Sequence, residues 1–165
     1  MRFLITSIFF FIVTSLIAQT TNDHKHCDLH PDHFHDKELG LSIAPVWLSE
    51  EEGVMLGLHA HFIKRIGDTQ FGLGGGVEYI LDEHRHQTYS LAAQFTPLPA
   101  LHFIVAPGIA LEIEDDEIER GWAVHFELCK EFSIWKLDVG PAIEFALDSH
   151  GQHIACGIHV GIPFE

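Results

Sequence analysis

Apolar and polar residues alternate along almost the whole chain after Glu38. In the stretch "LHFIVAPGIALEI" (101–113), Leu101, Phe103 and Val105 begin one face, while His102 and Ile104 begin the other. A period of two residues is typical of β-strands, and we find no helical period in this part of the sequence. The alternation predicts eight strands, at residues 39–48, 53–66, 71–81, 87–97, 101–113, 120–132, 133–147 and 153–165.

The two faces of these strands differ in an unusual way. One face collects large apolar and aromatic residues and carries no charged residue, whereas the other combines glycine and alanine with histidines and carboxylates. A soluble barrel would turn its large apolar residues inward. The inverted pattern predicts a barrel whose outer surface contacts lipid. Closure into a barrel also satisfies the backbone, because an unpaired strand edge is not tolerated in hydrocarbon.

An internal repeat gives the same number of strands. The segment "GGGVEYILDEH" (74–84) aligns with "GPAIEFALDSH" (140–150), and Pro45, Gly75, Pro107 and Pro141 follow one another at intervals of 30 to 34 residues. One hairpin has about this length, so the repeat indicates four hairpins. The predicted fold class is therefore all-β: an eight-stranded antiparallel up-and-down transmembrane β-barrel built of four hairpin repeats.

In this pattern the sequence resembles the small eight-stranded outer-membrane barrels, the class that includes the OmpA transmembrane domain, OmpX and OmpW. The resemblance covers residues 39–165. The last strand, "HIACGIHVGIPFE", has the alternating apolar residues seen in the assembly signal of such proteins, although Glu165 follows the final aromatic Phe164. The resemblance implies a barrel in the bacterial outer membrane, in contact with its lipid, that meets the outer-membrane assembly machinery through the C-terminal strand.

The first residues predict export from the cytoplasm. "MRFLITSIFFFIVTSLIA" has one basic residue, an apolar core and a small residue at its end, which is typical of a secretory signal peptide. We therefore expect a signal peptide at 1–18, a leader at 19–38 and the barrel at 39–165. The leader is expected to be flexible and to lie in the periplasm.

The leader contains the densest set of metal ligands in the sequence. "DHKHCDLHPDHFHD" (23–36) holds five histidines, one cysteine and four aspartates. Imidazole and thiolate are ligands that zinc, copper and nickel prefer. We predict that a divalent transition metal, zinc first and copper or nickel as alternatives, binds the following residues: His24, His26, Cys27, His30, His33 and His35. The alternative is a solvated polar leader that keeps the N-terminus soluble.

A second set of histidines is predicted to point into the barrel. His61, Gln94, His125 and His159 occupy equivalent places in the four hairpins, and carboxylates come from neighbouring strands. The candidate cation or proton site in the lumen consists of His59, His61, Glu78, His125, Glu127 and His159. Hydrogen-bonded packing of polar residues is the alternative, since buried polar groups must be paired. Passage of a wide substrate is not expected, because eight strands enclose a narrow lumen.

Charge and cysteine content narrow the function further. The net charge of −15 argues against nucleic acid as a partner and favours the attraction of cations. Cys129 is predicted to face inward and Cys156 to face lipid, so we expect no disulfide between them.

We identify no catalytic constellation and predict that the protein is not an enzyme. The sequence sets no oligomeric state. Metal acquisition, buffering or tolerance is the favoured role, and a structural or surface-interaction barrel without a metal role is the alternative.

Overall fold

A computed structural model describes residues 35–49, 53–114, 117–149 and 151–164. The predicted signal peptide and leader residues 19–34 lie outside this part of the chain. The described residues contain no apolar helix of membrane-spanning length. Their strands are β1 (Lys37–Leu48), β2 (Met55–Arg65), β3 (Phe71–Leu81), β4 (Gln87–Leu98), β5 (Leu101–Glu114), β6 (Glu117–Lys130), β7 (Phe132–Ile134), β8 (Leu137–Asp148) and β9 (Gln152–Phe164).

The strands close into a ring of antiparallel neighbours. From β1 to β6 each strand pairs with the next, β1 also pairs with β9, and β9 pairs with β8. The pairing of β6 with β8 completes the ring. β6 and β7 together form one strand of the barrel wall, so the nine segments make eight strands. The predicted eight-stranded antiparallel up-and-down barrel is therefore confirmed.

The last hairpin turn differs from the sequence prediction. Cys129 pairs with Ala142, and Phe132 pairs with Val139 in the same register, so β7 continues β6 across Glu131. The chain turns at Trp135, which has a φ of 62°, and not near residue 132 as the sequence predicted. The prediction was wrong because apolar residues continue through this turn, without the glycine, asparagine or proline that usually marks one.

The interruption between β6 and β7 coincides with a close approach of the β8 backbone. A Cβ atom at Gly140 would lie only 1.8 Å from the carbonyl oxygen of Lys130. A glycine is therefore required here. At the other end of the barrel sequence, β1 begins at Lys37, two residues before the predicted start, so Glu38 belongs to the barrel wall.

The barrel has two ends, the terminal rim and the loop rim. The terminal rim holds residue 35, residue 164 and the turns at 66–70, 99–100 and 135–136. The loop rim holds residues 49, 53–54, 82–86, 149 and 151, and the ends of β5 and β6 at residues 114 and 117. The predicted leader therefore joins the barrel at the terminal rim.

The outer surface is apolar between the rims, as the face pattern predicted. Exposed residues here include Leu91 (75%), Trp122 (58%) and Ile158 (56%). The prediction that this face carries no charge is wrong at its margins, where outward-facing basic residues occur at the strand ends: Lys37, Lys64 and Lys130 near the terminal rim and Arg120 near the loop rim. Long basic side chains at such positions extend to the water interface. The described surface thus presents an uncharged belt bounded by basic side chains.

The predicted facing of the two barrel cysteines is confirmed. Cys129 is buried at 1% exposure in the lumen, whereas Cys156 is exposed on the outer surface. Apolar inward residues occupy two regions of the lumen. Near the loop rim Val46, Ile80 and Ala155 form a buried cluster with Ala44, and a second cluster comprises Ile63, Ala92, Ile104 and Ala106.

The lipid-facing belt generates a direct prediction. Ile158 lies in the middle of β9 and Ile134 lies beside the turn at the terminal rim, with similar exposures of 56% and 55%. Ile158→Arg should lower the free energy of unfolding in phospholipid vesicles by about 2–4 kcal/mol, because the charge would lie near the bilayer midplane. Ile134→Arg, the matched control, should cost about 0–1 kcal/mol. Equal effects in urea-unfolding titrations would contradict the membrane-spanning placement.

Candidate functional site

The lumen brings six imidazoles and six carboxylates together in the described part of the chain. We call them the lumenal cluster: His59, His61, His102, His125, His153, His159, Glu38, Glu78, Glu127, Glu131, Asp138 and Glu144. Arg65, near the terminal rim, is the only lysine or arginine at an inward position of the described strands. Each carboxylate of the cluster has an imidazole nitrogen within 4 Å. Positive charge opposite these carboxylates must therefore come mainly from protons on imidazoles or from a bound cation.

Five of the imidazoles form a continuous chain through the lumen. The ring centroids of His153 and His125 are 5.5 Å apart, and those of His125 and His59 are 6.4 Å apart. From His59 the chain continues to His61 at 5.2 Å and then to His159, whose ring stacks on His61 at 5.2 Å. The chain connects strands β9, β6 and β2, which lie on different sides of the barrel.

The part of the cluster nearest the loop rim is built around one carboxylate. Glu78 of β3 has one oxygen 3.2 Å from Nε2 of His153 and the other 3.3 Å from Nε2 of His125. The contact with His153 is a hydrogen bond. All three residues are buried, so their mutual contacts replace contacts with water.

The central part of the cluster has close groups but few hydrogen bonds. Nδ1 of His59 is 3.4 Å from Glu127 Oε2 and 3.5 Å from Glu144 Oε1. Nδ1 of His61 is 3.9 Å from the same Glu127 oxygen. Both ring nitrogens of His61 and both carboxylate oxygens of Glu127 have no hydrogen-bond partner among the described residues. Buried polar atoms in this state cost free energy unless another group satisfies them.

The part of the cluster nearest the terminal rim has shorter contacts. His159 Nε2 lies 3.2 Å from Glu131 and 3.7 Å from Glu38. His102 Nε2 lies 2.8 Å from Glu131, and its Nδ1 lies 2.6 Å from the amide nitrogen of Gln94. Acidic groups therefore surround the lumen near the terminal rim.

Small residues in the wall make space for the imidazoles. A Cβ atom at Gly40 would lie 2.2 Å from His61 Nε2 and 2.5 Å from His159 Cε1. The stacked pair consequently depends on a glycine in β1. Ser42, two residues further along β1, has its hydroxyl 3.2 Å from His159 Nδ1. Cross-strand pairing of β1 with β9 places Ser42 opposite His159.

The structure places all six predicted lumenal residues in the lumen but separates them by depth. His61 and His159 stack on each other, and His59, Glu127 and Glu78 follow them along the lumen. His125 instead lies with His153 and Glu78. Gln94, the fourth repeat-equivalent position, bonds to His102 and Thr96. Equivalent positions in the repeat are therefore not at one level in the barrel.

Six members of the lumenal cluster were missing from the sequence-based site: Glu38, His102, Glu131, Asp138, Glu144 and His153. Glu38 had been counted with the leader, and Glu131 lay next to the misplaced turn. His102 and His153 share the inward face with Ile104 and His159, so the alternation alone could have identified them. Restricting the site to repeat-equivalent positions excluded both.

Of the predicted leader ligands, the described part of the chain includes only His35. Its Nε2 lies 3.2 Å from Asp138 Oδ2 at the terminal rim, where Glu38 and Glu131 are also found. The other five predicted ligands, His24, His26, Cys27, His30 and His33, lie outside the described residues. The contact of His35 shows that the last predicted leader ligand meets the first carboxylates of the lumen.

The ligand atoms of the cluster converge closely enough to hold metal ions. Sets within 4.8 Å of one another include His59, His61 and Glu127, and also Glu78, His125 and His153. A third set combines Glu127, Cys129 and His159. Nitrogen, carboxylate oxygen and sulfur are the donors that zinc takes in proteins. The arrangement can therefore bind protons or a transition metal.

Comparison with known proteins supports the fold. Neither a protein-family profile nor a curated protein sequence matches the chain. A de novo designed transmembrane β-barrel is similar at 13% identity, covering 76% of this chain and 95% of the designed one, with a TM-score of 0.53. Neisserial surface protein A matches at 11% identity over 78% and 96% of the two chains, with a TM-score of 0.43.

A third similar structure is the outer-membrane protein Ail of Yersinia pestis in a phospholipid bilayer nanodisc. It is 12% identical, covers 77% of this chain and 99% of its own, and has a TM-score of 0.48. At such identities the similarity concerns the fold alone. The conclusion about the fold rests on the designed barrel. The chain thus has the fold of a small transmembrane β-barrel.

The space left by Gly40 generates a prediction. Gly40→Ala should lower the free energy of unfolding by about 1–3 kcal/mol, because the new methyl group would overlap the stacked imidazoles. Gly75→Ala in β3 is the control, since the nearest atom to a Cβ there is 3.3 Å away. Denaturant titrations of both variants in detergent provide the measurement. A Gly40 variant as stable as the Gly75 variant would show that the stacked pair does not need this space.

Proposed function

We propose that this chain is a bacterial outer-membrane barrel that binds a divalent transition metal and serves metal acquisition, buffering or tolerance. In this proposal the leader lies in the periplasm and supplies the first ligands, while the lumen supplies further ones. Zinc is the first candidate, and copper and nickel are alternatives. The outer-membrane assembly machinery is the expected partner of the C-terminal strand, and no catalytic role is assigned.

The observation that carries the proposal is the meeting of leader and lumen at one rim. His35 lies 3.2 Å from Asp138, which forms a ligand group with Glu38 and Glu131. His159 follows 3.2 Å beyond Glu131, and His61 stacks on it. A cation bound by the leader therefore has a sequence of ligands leading from the terminal rim to the middle of the barrel.

The size and charge of this opening favour a small cation. A cavity of about 30 Å³ lies here, lined by residues that include His35, Glu38, Arg65, Gln94 and His102. This volume holds about one water molecule, so an ion fits where a larger solute does not. The net charge of −15 also attracts cations to the protein as a whole.

A structural or surface-interaction barrel without a metal role is the second candidate. Its support comes from the imidazoles that already have hydrogen-bond partners: His102 with Gln94, His153 with Glu78 and His159 with Ser42. Such contacts are what packing alone requires of buried polar groups. Metal binding by the purified protein distinguishes the two candidates.

The leader is tested by removing its ligands from the full-length protein. We expect replacement of His24, His26, Cys27, His30, His33 and His35 by serine to reduce the number of zinc ions bound per chain in equilibrium dialysis. The binding that is lost should also weaken in the unsubstituted protein below about pH 6.5, because protonated imidazole cannot ligate a metal. A control with serine at His84 and His86 of the loop rim should bind as much zinc as the unsubstituted protein. Equal zinc binding by the leader variant would contradict a role for the leader.

The cellular role is tested by metal supply. We expect the amount of this protein in its host to change when zinc, copper or nickel is made scarce or abundant, because acquisition, buffering and tolerance proteins are made on demand. Quantitative immunoblotting of outer-membrane fractions measures this, with a second outer-membrane barrel of the same host as the control. An unchanged level under all three metals would favour the structural candidate.

A further inference from the structure

Three residues, His59, His61 and Glu127, bring ligand atoms within 4.8 Å of one another in the middle of the lumen. Nδ1 of His59 lies 3.4 Å and Nδ1 of His61 lies 3.9 Å from Oε2 of Glu127. Glu144 lies beside this set, with its Oε1 3.5 Å from Nδ1 of His59. Two of the residues come from β2, one from β6 and one from β8, so the wall of the barrel fixes their relative positions.

These atoms are buried without the partners that such burial normally requires. His61 is 3% exposed and Glu127 is 4% exposed. Neither ring nitrogen of His61, neither oxygen of Glu127 and not Nδ1 of His59 has a hydrogen-bond partner among the described residues. The neighbouring groups are partly satisfied, since Glu78 is hydrogen-bonded to His153 and Nδ1 of His159 to Ser42, while Nε2 of His125, Nδ1 of His153 and Nε2 of His159 also have no hydrogen-bond partner among the described residues. Only the central set therefore combines convergence with unsatisfied atoms on both imidazoles and the carboxylate.

Two of these distances match the spacing of ligand atoms around a zinc ion. Zinc holds nitrogen and carboxylate oxygen at about 2.0–2.2 Å, which sets its ligand atoms about 3.3–3.6 Å apart. The two shorter distances fall in this range, and the third is a few tenths of an ångström longer. The charges also match, because one divalent ion neutralises the carboxylates of Glu127 and Glu144 while both imidazoles stay neutral. Neutrality favours binding in a site that is closed to water.

We propose that His59, His61 and Glu127 form an intramembrane zinc site in the barrel lumen, with Glu144 as a neighbouring carboxylate. This inference rests on the proposed metal-binding function, but it does not depend on the leader. The site lies between the ligand path from the terminal rim and the Glu78 group on its other side. Its ligands contain nitrogen and oxygen only, which separates it from the set that includes Cys129.

The site is tested in the full chain whose six leader ligands are replaced by serine. This protein is folded in detergent, loaded with zinc sulfate, freed of loosely bound metal and analysed for zinc by mass spectrometry. We expect one zinc ion per barrel. His61→Gln and Glu127→Gln, each added to this background, should lower zinc affinity at least about tenfold, because each removes a direct ligand.

His84→Gln in the same background is the matched control. His84 is also an imidazole of the barrel, but it lies in the connection at 82–86 of the loop rim, outside the lumenal cluster. We expect its zinc content to be unchanged. Heat-dependent migration on gels shows whether each variant is folded. Retention of zinc by folded His61 or Glu127 variants would overturn the proposed site.

X-ray absorption at the zinc edge tests the ligands without any substitution in the barrel. We expect nitrogen and oxygen neighbours only, at about 2.0–2.1 Å. A sulfur neighbour at about 2.3 Å would overturn the proposal and assign the ion to Cys129, Glu127 and His159. Absence of bound zinc in the leader variant would also overturn it. If the full-length protein still bound zinc in that case, the leader function would stand, whereas absence of binding in both proteins would remove both proposals.

Discussion

Charge compensation inside a narrow closed wall is the constraint on which the rest of this structure depends. Closure satisfies the backbone hydrogen bonds of every strand, and a ring of eight strands leaves little space between opposite walls. Side chains from distant parts of the sequence are thereby forced together, as Glu78 of β3 and His153 of β9 show. Each buried carboxylate of the lumenal cluster must then find positive charge within the lumen, mainly from protons on the imidazoles or from a bound cation.

This requirement also explains the composition of the wall around the cluster. Gly40 makes space for two stacked rings, and a Cβ atom at Gly76 would lie 3.2 Å from Nε2 of His59. Where the lumen has no ionisable groups, aliphatic residues fill it, as in the cluster of Ile63, Ala92, Ile104 and Ala106. The lumenal cluster and the aliphatic clusters together occupy the interior. The barrel is therefore packed inside and leaves space of about the size of an ion.

The sequence predicted the fold well because strand alternation and membrane chemistry act residue by residue. Odd-numbered and even-numbered residues of a strand point to opposite faces, so the number of a residue within its strand predicts its face. Cys129 and Cys156 illustrate this. The turn at Trp135 could not be predicted, because apolar residues run through it and the left-handed conformation falls on a tryptophan. The domain organisation ahead of residue 35 and the role of the leader ligands remain predictions.

The site was harder to predict than the fold because strand register and barrel stagger act over long distances. The repeat predicted that His61, His125 and His159 lie at one depth, yet His125 meets His153 instead. Pairing of Ser42 with His159 across 117 positions of sequence depends on how β1 meets β9, which no local pattern encodes. Local alternation therefore identifies which side chains face inward, while closure decides which of them touch.

The basic residues at the two rims have a consequence for insertion. Three outward-facing lysines lie near the terminal rim, and one arginine lies near the loop rim. Each such residue gains about 1 kcal/mol near an anionic membrane surface. A bilayer with unlike leaflets therefore does not treat the two orientations of the barrel equally. Taken by themselves, these four described side chains attract the terminal rim to an anionic membrane surface more strongly than the loop rim.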